Sequence, residues 1–134
     1  MKRTYHGSCR CKKIQYEADI DLSEGTMKCN CTYCWKLRWW GAKVLPDGFR
    51  LISGQEATGY GFPTDKFITR ALCADCGVIS FGWGNIPQVG GEFVSINLAC
   101  LDDLKPAELI AAPVIYADGL HDNWWHPPAE TRHL

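Results

Sequence analysis

Short runs in which apolar and polar residues alternate are spread along the chain. In the first, every second residue from Ile14 to Ile20 is apolar, which is the pattern of a strand with one buried face. The same period of two recurs in four further runs, FRLISG (49–54), KFITRAL (66–72), GVISFGW (77–83) and EFVSINL (92–98). Thirteen glycines and seven prolines separate these runs, as expected of hairpins and loops. The pattern therefore predicts a mainly β protein.

Segments with helical character are few and short. TYCWKLRW (32–39) is long enough for one or two turns, with Thr32 as its candidate N-cap. PAELIAA (106–112) is a second candidate, in which Pro106 takes the first helical position, where its missing N–H is not needed. We expect HDNWWHPP (121–128) to be an ordered loop or an extended segment, because its two prolines oppose a helix.

Composition and charge favour a single globular domain over a membrane or nucleic-acid-binding protein. The 134 residues are the size of one ordinary domain, and 46% hydrophobic with 22% charged residues is sufficient for a packed core. The net charge is -1 and the basic residues are scattered, which argues against a nucleic-acid-binding surface. No run approaches the roughly 20 apolar residues that span a bilayer, and no apolar run of a secretory signal follows the N-terminus. We therefore expect a single cytoplasmic domain over residues 1–134, with no membrane or nucleic-acid partner.

The cysteines give the strongest chemical signal. In a reducing compartment disulfides are rare, and cysteines two or three positions apart direct their sulfurs to one point, as metal ligands do. Seven of the eight cysteines fall in such clusters, and Cys100 stands alone. The clusters are Cys9 and Cys11, then Cys29, Cys31 and Cys34, then Cys73 and Cys76.

CADCG (73–77) lies between two strand-like runs, which indicates a zinc knuckle, a tight turn whose glycine lets backbone amides face the sulfurs. The alternative is a redox C-x-x-C, but that motif needs a helix at its first cysteine, and the following run is β-like. A closed zinc site needs two more thiolates, and Cys9 and Cys11 are the natural partners unless that pair is simply buried. Such a site would contribute folding free energy directly.

CNCTYC (29–34) keeps three cysteines for a second site. Three protein ligands and one exchangeable position are typical of a catalytic zinc, which acts as a Lewis acid or binds an incoming oxygen or sulfur atom. A fourth ligand is the alternative, with Cys100, His121 and His126 as candidates, although each has a simpler interpretation as a buried or hydrogen-bonded residue. An iron–sulfur cluster is a minor option, since the spacings do not match common ferredoxin patterns.

Aromatic residues flank the three-cysteine segment and recur in the tail. They are Trp35, Trp39, Trp40, Trp124 and Trp125. Such residues usually pack in the core. The functional alternative is that they form the apolar wall of a pocket from which water is excluded and in which a small electrophile binds. His121 or His126 is then a candidate acid–base group. Lys36 and Arg38 are candidates to bind a carboxylate, with solvated surface charges as the alternative.

Three segments, GSCRCKKIQYE, CNCTYCWKLRWWGA and LCADCGVISFGW, together resemble the glutathione-dependent formaldehyde-activating enzyme family, which is similar to centromere protein V domains. The family pattern is GSCxCG, then CHCxxC, then CxxCG, and its spacing matches all seven clustered cysteines. NLACLDDL resembles a further element of the family. The resemblance implies a β-tent of stacked antiparallel sheets organised around a structural zinc. It also implies the ligands of two zinc ions: Cys9, Cys11, Cys73 and Cys76 for the structural ion, and Cys29, Cys31 and Cys34 for the second, open ion.

The resemblance also implies an activity. Members of the family are described as carbon–sulfur lyases that add glutathione reversibly to formaldehyde to give S-hydroxymethylglutathione. We therefore predict a zinc-dependent enzyme acting on a small thiol or aldehyde, with Cys31 and His121 as candidate catalytic residues. The alternative is a non-catalytic zinc module that binds a protein partner or stores metal.

The sequence departs from the family pattern at three places. Lys12 replaces the glycine after the first cysteine pair, and Asn30 replaces the histidine of CHC. The basic pair and the small residue that usually follow the third cysteine are replaced by Trp35, Lys36 and Leu37. The predicted metal ligands are unchanged, so these departures bear on the substrate.

Overall fold

Strands dominate the fold, as the alternating pattern predicts. The computed structural model describes residues 1–60 and 68–134, which form ten strands and two α-helices. The strands are β1 (Arg3–Ser8), β2 (Gln15–Ile20), β3 (Thr26–Cys29), β4 (Gly41–Val44), β5 (Phe49–Ser53), β6 (Thr58–Tyr60), β7 (Ile68–Cys73), β8 (Ile79–Ile86), β9 (Gly91–Asn97) and β10 (Val114–Ala117). The helices are α1 (Thr32–Leu37) and α2 (Pro106–Ala111).

Within these residues the strands form two sheets. The smaller has the order β1-β2-β5, and the larger has the order β10-β3-β4-β9-β8-β7-β6. Every pair of neighbours is antiparallel except β10 and β3, which are parallel. This arrangement confirms the mainly β fold with antiparallel sheets.

Three aromatic rings join the smaller sheet to the larger one. The ring centre of Tyr16 on β2 lies 5.4 Å from that of Phe49 on β5 and 5.5 Å from that of Phe81 on β8. Tyr16 is buried, and its hydroxyl donates a hydrogen bond to the carbonyl oxygen of Ser80 at 3.1 Å. The polar end of the ring is therefore satisfied inside the core, as a buried tyrosine requires.

Each of the five predicted strands has a counterpart among the described residues. The runs correspond to β2, β5, β7, β8 and β9, and residues 66 and 67 of KFITRAL lie outside the described residues. The pattern missed the remaining five strands, four of which have only three or four residues. In β1, for example, the buried positions include Tyr5 and Gly7, and a glycine contributes no hydrophobic side chain to the pattern. A Cβ on Gly7 would lie 2.3 Å from the ring of Tyr16, so close packing requires glycine there.

Both predicted helices form, with one correction. The N-cap of α1 is Cys31 and not Thr32, because the Cys31 sulfur accepts the N–H of Cys34 at 3.4 Å and Thr32 is already helical. Pro106 takes the first position of α2 as predicted. Each helix has six residues, and no helix in the described part of the chain has the length and apolar character needed to cross a membrane.

Candidate functional site

Four cysteine sulfurs converge where β1 and β7 end, and we call this group the four-cysteine cluster. Its members, Cys9, Cys11, Cys73 and Cys76, have their sulfur atoms within 4.8 Å of one another. The sulfur of Cys11 lies 3.6 Å from that of Cys9 and 3.7 Å from that of Cys73. A tetrahedral zinc with bonds of about 2.3 Å has sulfur–sulfur edges of about 3.8 Å, whereas a disulfide bond is about 2.05 Å. These four unpaired thiols therefore fit a zinc ion.

Turns around the four-cysteine cluster direct backbone N–H groups at the sulfurs. The N–H of Ile14 donates to the sulfur of Cys9 at 3.4 Å. The N–H of Cys11 donates to Cys76 and is the main reason that the pKa of Cys76 falls to about 6. Such bonds favour the thiolate, which is the form that binds metal. No helix begins in the turn after β7, which argues against the redox alternative for this motif.

Lys12 has a left-handed backbone at the position where the family pattern has glycine. Its φ is +63°, a region that side chains other than glycine adopt at a cost. Cys9 is buried and Cys11 is exposed, so the pair is not simply part of the core. The left-handed backbone of this turn explains why the family pattern has glycine there. Lysine adopts the same backbone at a steric cost.

Three further sulfurs converge where β3 leads into α1, and we call this group the three-cysteine cluster. Cys29 ends β3, Cys31 caps α1 and Cys34 lies in its first turn. Their sulfur atoms lie within 4.8 Å of one another. The N–H of Cys31 donates to Cys29 at 3.4 Å, and that of Cys34 donates to Cys31 at 3.4 Å. In residues 1–60 and 68–134 no cysteine, histidine, aspartate or glutamate joins this group as a fourth ligand.

Hydrogen bonds among the three thiols favour a state in which one of them is a thiolate. Hydrogen bonds from Cys29 and then from Cys34 lower the pKa of Cys31 to about 2. The bond to Cys31 raises the pKa of Cys29, and bonds with Cys29 and then with Cys31 raise the pKa of Cys34 strongly. The cluster therefore holds one thiolate readily, and a bound divalent cation would be needed to ionise all three.

Neither Cys100 nor His126 belongs to the three-cysteine cluster. The sulfur of Cys100 lies 4.0 Å from the carbonyl oxygen of Ile79. Burial raises the pKa of Cys100 to about 11, and charges on Asp102 and the four-cysteine cluster add to the rise. Cys100 therefore lies beside the four-cysteine cluster. The Nδ1 atom of His126 is hydrogen-bonded to Asn123 at 3.0 Å.

The loop after β10 passes directly over the three-cysteine cluster. Because β10 is parallel to β3, with Ala117 opposite Cys29, both strands end at the same edge of the sheet. A Cβ on Gly119 would lie 2.7 Å from the sulfur of Cys29 and 2.5 Å from the ring of Trp124. The loop therefore needs glycine at this position to approach the sulfur.

Asn30 fixes this loop and, through it, His121. Its side-chain amide donates to Asp118 at 2.7 Å, and its amide oxygen accepts the N–H of Leu120 at 3.0 Å. The bond from Asn30, followed by that from His121, lowers the pKa of Asp118. Asp118 is therefore a carboxylate that accepts the Nδ1–H of His121 at 2.9 Å. In this tautomer Nε2 is the basic nitrogen, and the His121 side chain is 71% exposed. His121 thus lies in the loop over the cluster without being a fourth ligand.

A buried arginine that the sequence interpretation missed faces the same cluster. Arg70 on β7 is 3% exposed, and its guanidinium lies 4.0 Å from the ring centre of Trp39. It donates to the sulfur of Cys34 at 3.7 Å and to the hydroxyl of Ser95 at 3.4 Å. Its Nε has no hydrogen-bond partner among the described residues. A buried cation needs an anion nearby, and the thiolates supply one. The sequence signal was a single charge inside an apolar strand.

A pocket of about 180 Å³ opens beside the three-cysteine cluster. It is lined by two thiols, three indole rings, two cations and the last residue: Cys29, Cys34, Trp35, Trp39, Trp40, Lys28, Arg38 and Leu134. Three of the five tryptophans therefore form the wall that the sequence suggested. Trp125 is 63% exposed and does not line this pocket, and neither does the exposed Lys36.

A larger pocket of about 430 Å³ lies elsewhere in the described residues. Its lining includes Phe49, Phe81 and Val94, and it contains no cysteine, histidine or charged side chain. It offers hydrophobic contact but no group for acid–base or metal chemistry. We therefore assign the chemistry to the smaller pocket.

Comparisons with known proteins bear on the fold and the family of this chain. No curated protein matches the sequence. A crystal structure of a Rhodobacter sphaeroides protein from a structural genomics project is similar in fold, with a TM-score of 0.66 and 19% identity over 82% of this chain and 99% of that chain. The family model described as "Glutathione-dependent formaldehyde-activating enzyme" matches residues 4–118. The chain therefore belongs to the glutathione-dependent formaldehyde-activating enzyme family.

Proposed function

We propose that this protein is a zinc-dependent enzyme of carbon–sulfur lyase type, which joins glutathione to formaldehyde or a related small aldehyde and reverses that addition. The observation that carries the proposal is the three-cysteine cluster, which gathers three thiols beside a pocket and has no fourth protein ligand among the described residues. Three protein ligands with an exchangeable fourth position are typical of a catalytic zinc. Family membership supports the choice of reactants.

The two clusters take different roles in this proposal. The four-cysteine cluster holds a structural zinc that ties β1 to β7 and so supports a single zinc-binding domain over residues 1–134. In the three-cysteine cluster, Cys29, Cys31 and Cys34 bind the second zinc as thiolates. A zinc ion held there would act as a Lewis acid and would lower the pKa of a thiol or water that it bound.

Arg70 balances the charge of the second site. Three thiolates around a divalent cation have a net charge of -1, and the guanidinium beside Cys34 offsets it inside the protein. The buried ring of Trp39 shields the Arg70 guanidinium from water, which strengthens its electrostatic interaction with the thiolates.

The reaction requires one proton to move. A sulfur electron pair forms the new S–C bond, the C=O π pair moves to oxygen, and the thiol proton must reach that oxygen. We assign this transfer to Nε2 of His121, because Asp118 holds the ring by Nδ1 and Asn30 holds Asp118. The reverse reaction returns the same proton to sulfur.

The test measures both metal content and turnover. We expect the zinc-loaded protein to hold two zinc ions and to accelerate exchange between free glutathione and S-hydroxymethylglutathione above the spontaneous rate, as measured by NMR. The Cys31→Ala variant should hold one zinc and exchange at the spontaneous rate. Cys100→Ala, which removes a thiol outside both clusters, should match the wild type.

Two results would contradict the proposal. One is a Cys31→Ala variant that keeps two zinc ions, and the other is a two-zinc wild-type protein that leaves the exchange rate unchanged. A fourth protein ligand on the second zinc would support the alternative of a non-catalytic zinc module.

A further inference from the structure

The larger pocket of about 430 Å³ lies between the two sheets and takes no part in the proposed reaction. It forms where β5 of the smaller sheet faces β8 and β9 of the larger one. Its lining consists of apolar residues and two uncharged polar ones, Gln55 and Thr58. Pockets that hold small molecules have volumes of roughly 300–1,000 Å³ and are mostly apolar with a few polar groups. The pocket therefore has the size and the lining of a ligand site.

The register of the strands separates this pocket from the three-cysteine cluster. On β8, Phe81 and Trp83 project from one face of the larger sheet, and Gly82 between them has the opposite orientation. Gly82 pairs with Arg70, whose guanidinium contacts Cys34. The sheet therefore lies between the pocket and the cysteines, and a molecule in the pocket does not touch the cluster.

Three aromatic rings in the lining form a continuous row. The ring centre of Phe81 lies 4.8 Å from that of Phe49 and 6.2 Å from that of Trp83. Aromatic rings attract each other at separations of about 4.5–7 Å. Phe81 is buried, whereas Trp83, at one end of the row, is 38% exposed. A planar ring that entered the pocket would extend the row by one member.

The polar groups of the pocket carry no charge. The side-chain amide of Gln55 offers N–H donors and a carbonyl acceptor. The hydroxyl of Thr58 donates to the carbonyl oxygen of Gly54 at 2.7 Å, so it has only lone pairs to offer. No charged side chain of the described residues lines the pocket. An ion placed there would lose its hydration without gaining a counter-ion, so the pocket favours an uncharged molecule.

We propose that this pocket is a second ligand site, which binds an uncharged aromatic molecule with one hydrogen-bonding group. The ring of the ligand packs against the row formed by Phe49, Phe81 and Trp83, and its polar group bonds to the amide of Gln55. The site uses no cysteine and no metal, so it is independent of the proposed reaction.

Titrations with three probes of similar size and different charge test this site. The probes are benzamide, benzoate and benzylamine, which are neutral, anionic and cationic at neutral pH. Two-dimensional NMR of the full, zinc-loaded chain follows the indole N–H signals. We expect benzamide to shift the signal of Trp83 and to leave those of Trp35 and Trp40, which line the smaller pocket, unchanged. At Trp83, benzoate and benzylamine should bind at least about 10-fold more weakly, because each would bury an unpaired charge.

Two variants test the contacts. Trp83→Leu should weaken benzamide binding about 10-fold, because it removes the outer ring of the row. Gln55→Met keeps the length of an exposed side chain and should weaken binding about three- to tenfold, because it removes one hydrogen bond. Trp125→Leu replaces an exposed indole outside the lining, so it is the matched control for Trp83→Leu and should bind as the wild type does.

Equal affinities of the three probes at Trp83 would overturn the choice of an uncharged ligand. A Trp83 signal that benzamide does not shift, or unchanged affinity in both Trp83→Leu and Gln55→Met, would overturn the site itself. The glutathione exchange assay tests the proposed reaction separately, because the two pockets lie on opposite faces of the larger sheet.

Discussion

The two cysteine clusters of this protein use the same ligand type for different purposes. The four-cysteine cluster draws its sulfurs from two parts of the chain more than sixty positions apart, and two of them are buried in the core. The three-cysteine cluster draws all its sulfurs from residues 29–34, and each is only partly buried. The four-cysteine cluster can therefore link distant parts of the fold, whereas the three-cysteine cluster places its thiols beside a pocket. Ligand number and surroundings, and not ligand chemistry, separate the two.

The surroundings differ in charge as well. Backbone N–H groups are the principal donors to the sulfurs at the four-cysteine cluster, as the low pKa of Cys76 shows. The three-cysteine cluster adds the full charge of a buried arginine, with the Asp118–His121 pair in the loop above it. A buried guanidinium is costly to remove from water, and such buried charges are expected where a reaction changes charge.

The largest expected effect is on stability, and it should differ between the two clusters. Cys11→Ser removes an exposed sulfur of the four-cysteine cluster and should abolish cooperative folding, because structural zinc contributes about 10–16 kcal/mol, which is as large as the roughly 5–15 kcal/mol that stabilises a domain. Cys31→Ser should keep a melting temperature close to that of the wild type and lose one zinc. Circular dichroism melts with zinc analysis measure both. Equal loss of stability in the two variants would remove the distinction.

Arg70 gives the next largest effect. Arg70→Met should weaken the second zinc about 10–100-fold and leave the first unchanged, because the charge beside Cys34 is lost. Arg70→Lys keeps the charge and should recover part of the affinity. Titration with a competing chelator measures each zinc. Arg50→Met, which breaks a partly buried ion pair with Asp19, is the control and should not alter zinc binding. An Arg70→Met protein with wild-type affinity would show that the arginine does not serve the site.

Gly119 tests the loop above the three-cysteine cluster. Gly119→Ala should weaken the second zinc by up to about tenfold, because the new Cβ would meet the sulfur of Cys29 at 2.7 Å and force the loop away. The comparison variant is Gly59→Ala, whose Cβ would meet Leu72 at an ordinary 3.6 Å. Identical zinc titrations for both variants would mean that the loop does not constrain the cluster.

The smallest expected effect concerns the turn of the four-cysteine cluster. Lys12→Gly should be more stable than Lys12→Ala by about 1 kcal/mol, because glycine adopts a φ of +63° without steric cost. Comparing these two variants cancels the loss of the lysine side chain. Urea unfolding gives the difference in free energy of unfolding, and a more stable alanine variant would contradict this explanation of the family glycine.

The sequence was most informative where the chemistry is local. The cysteine spacings predicted the three-cysteine cluster and the two separate pairs, since C-x-C and C-x-x-C can bring sulfurs together within one turn. The joining of Cys9 and Cys11 with Cys73 and Cys76 came from ligand counting and from the family resemblance. Strands with full alternation were likewise evident. Short strands such as β3 and β10 gave no such signal, and their parallel pairing places the loop at Asp118 over Cys29.

Long-range contacts account for what the sequence did not reveal. Arg70 and Cys34 are separated by 36 positions, and no spacing rule links a lone arginine to a sulfur. Lys36 and Arg38 were equivalent candidates for a carboxylate, but only Arg38 lines the pocket, because the chain turns left-handed after α1. Lys28 also lines the pocket but was not a candidate, because no spacing rule links it to the residues that follow the three-cysteine cluster.

The most direct measurement is an anomalous-difference map at the zinc edge from crystals of the freshly purified protein. We expect two peaks, one bound by Cys9, Cys11, Cys73 and Cys76, and the other bound by Cys29, Cys31 and Cys34 with a fourth ligand that does not come from the protein. A single peak at the four-cysteine cluster, or a second peak closed by a fourth protein ligand, would contradict the division into a structural and a catalytic site.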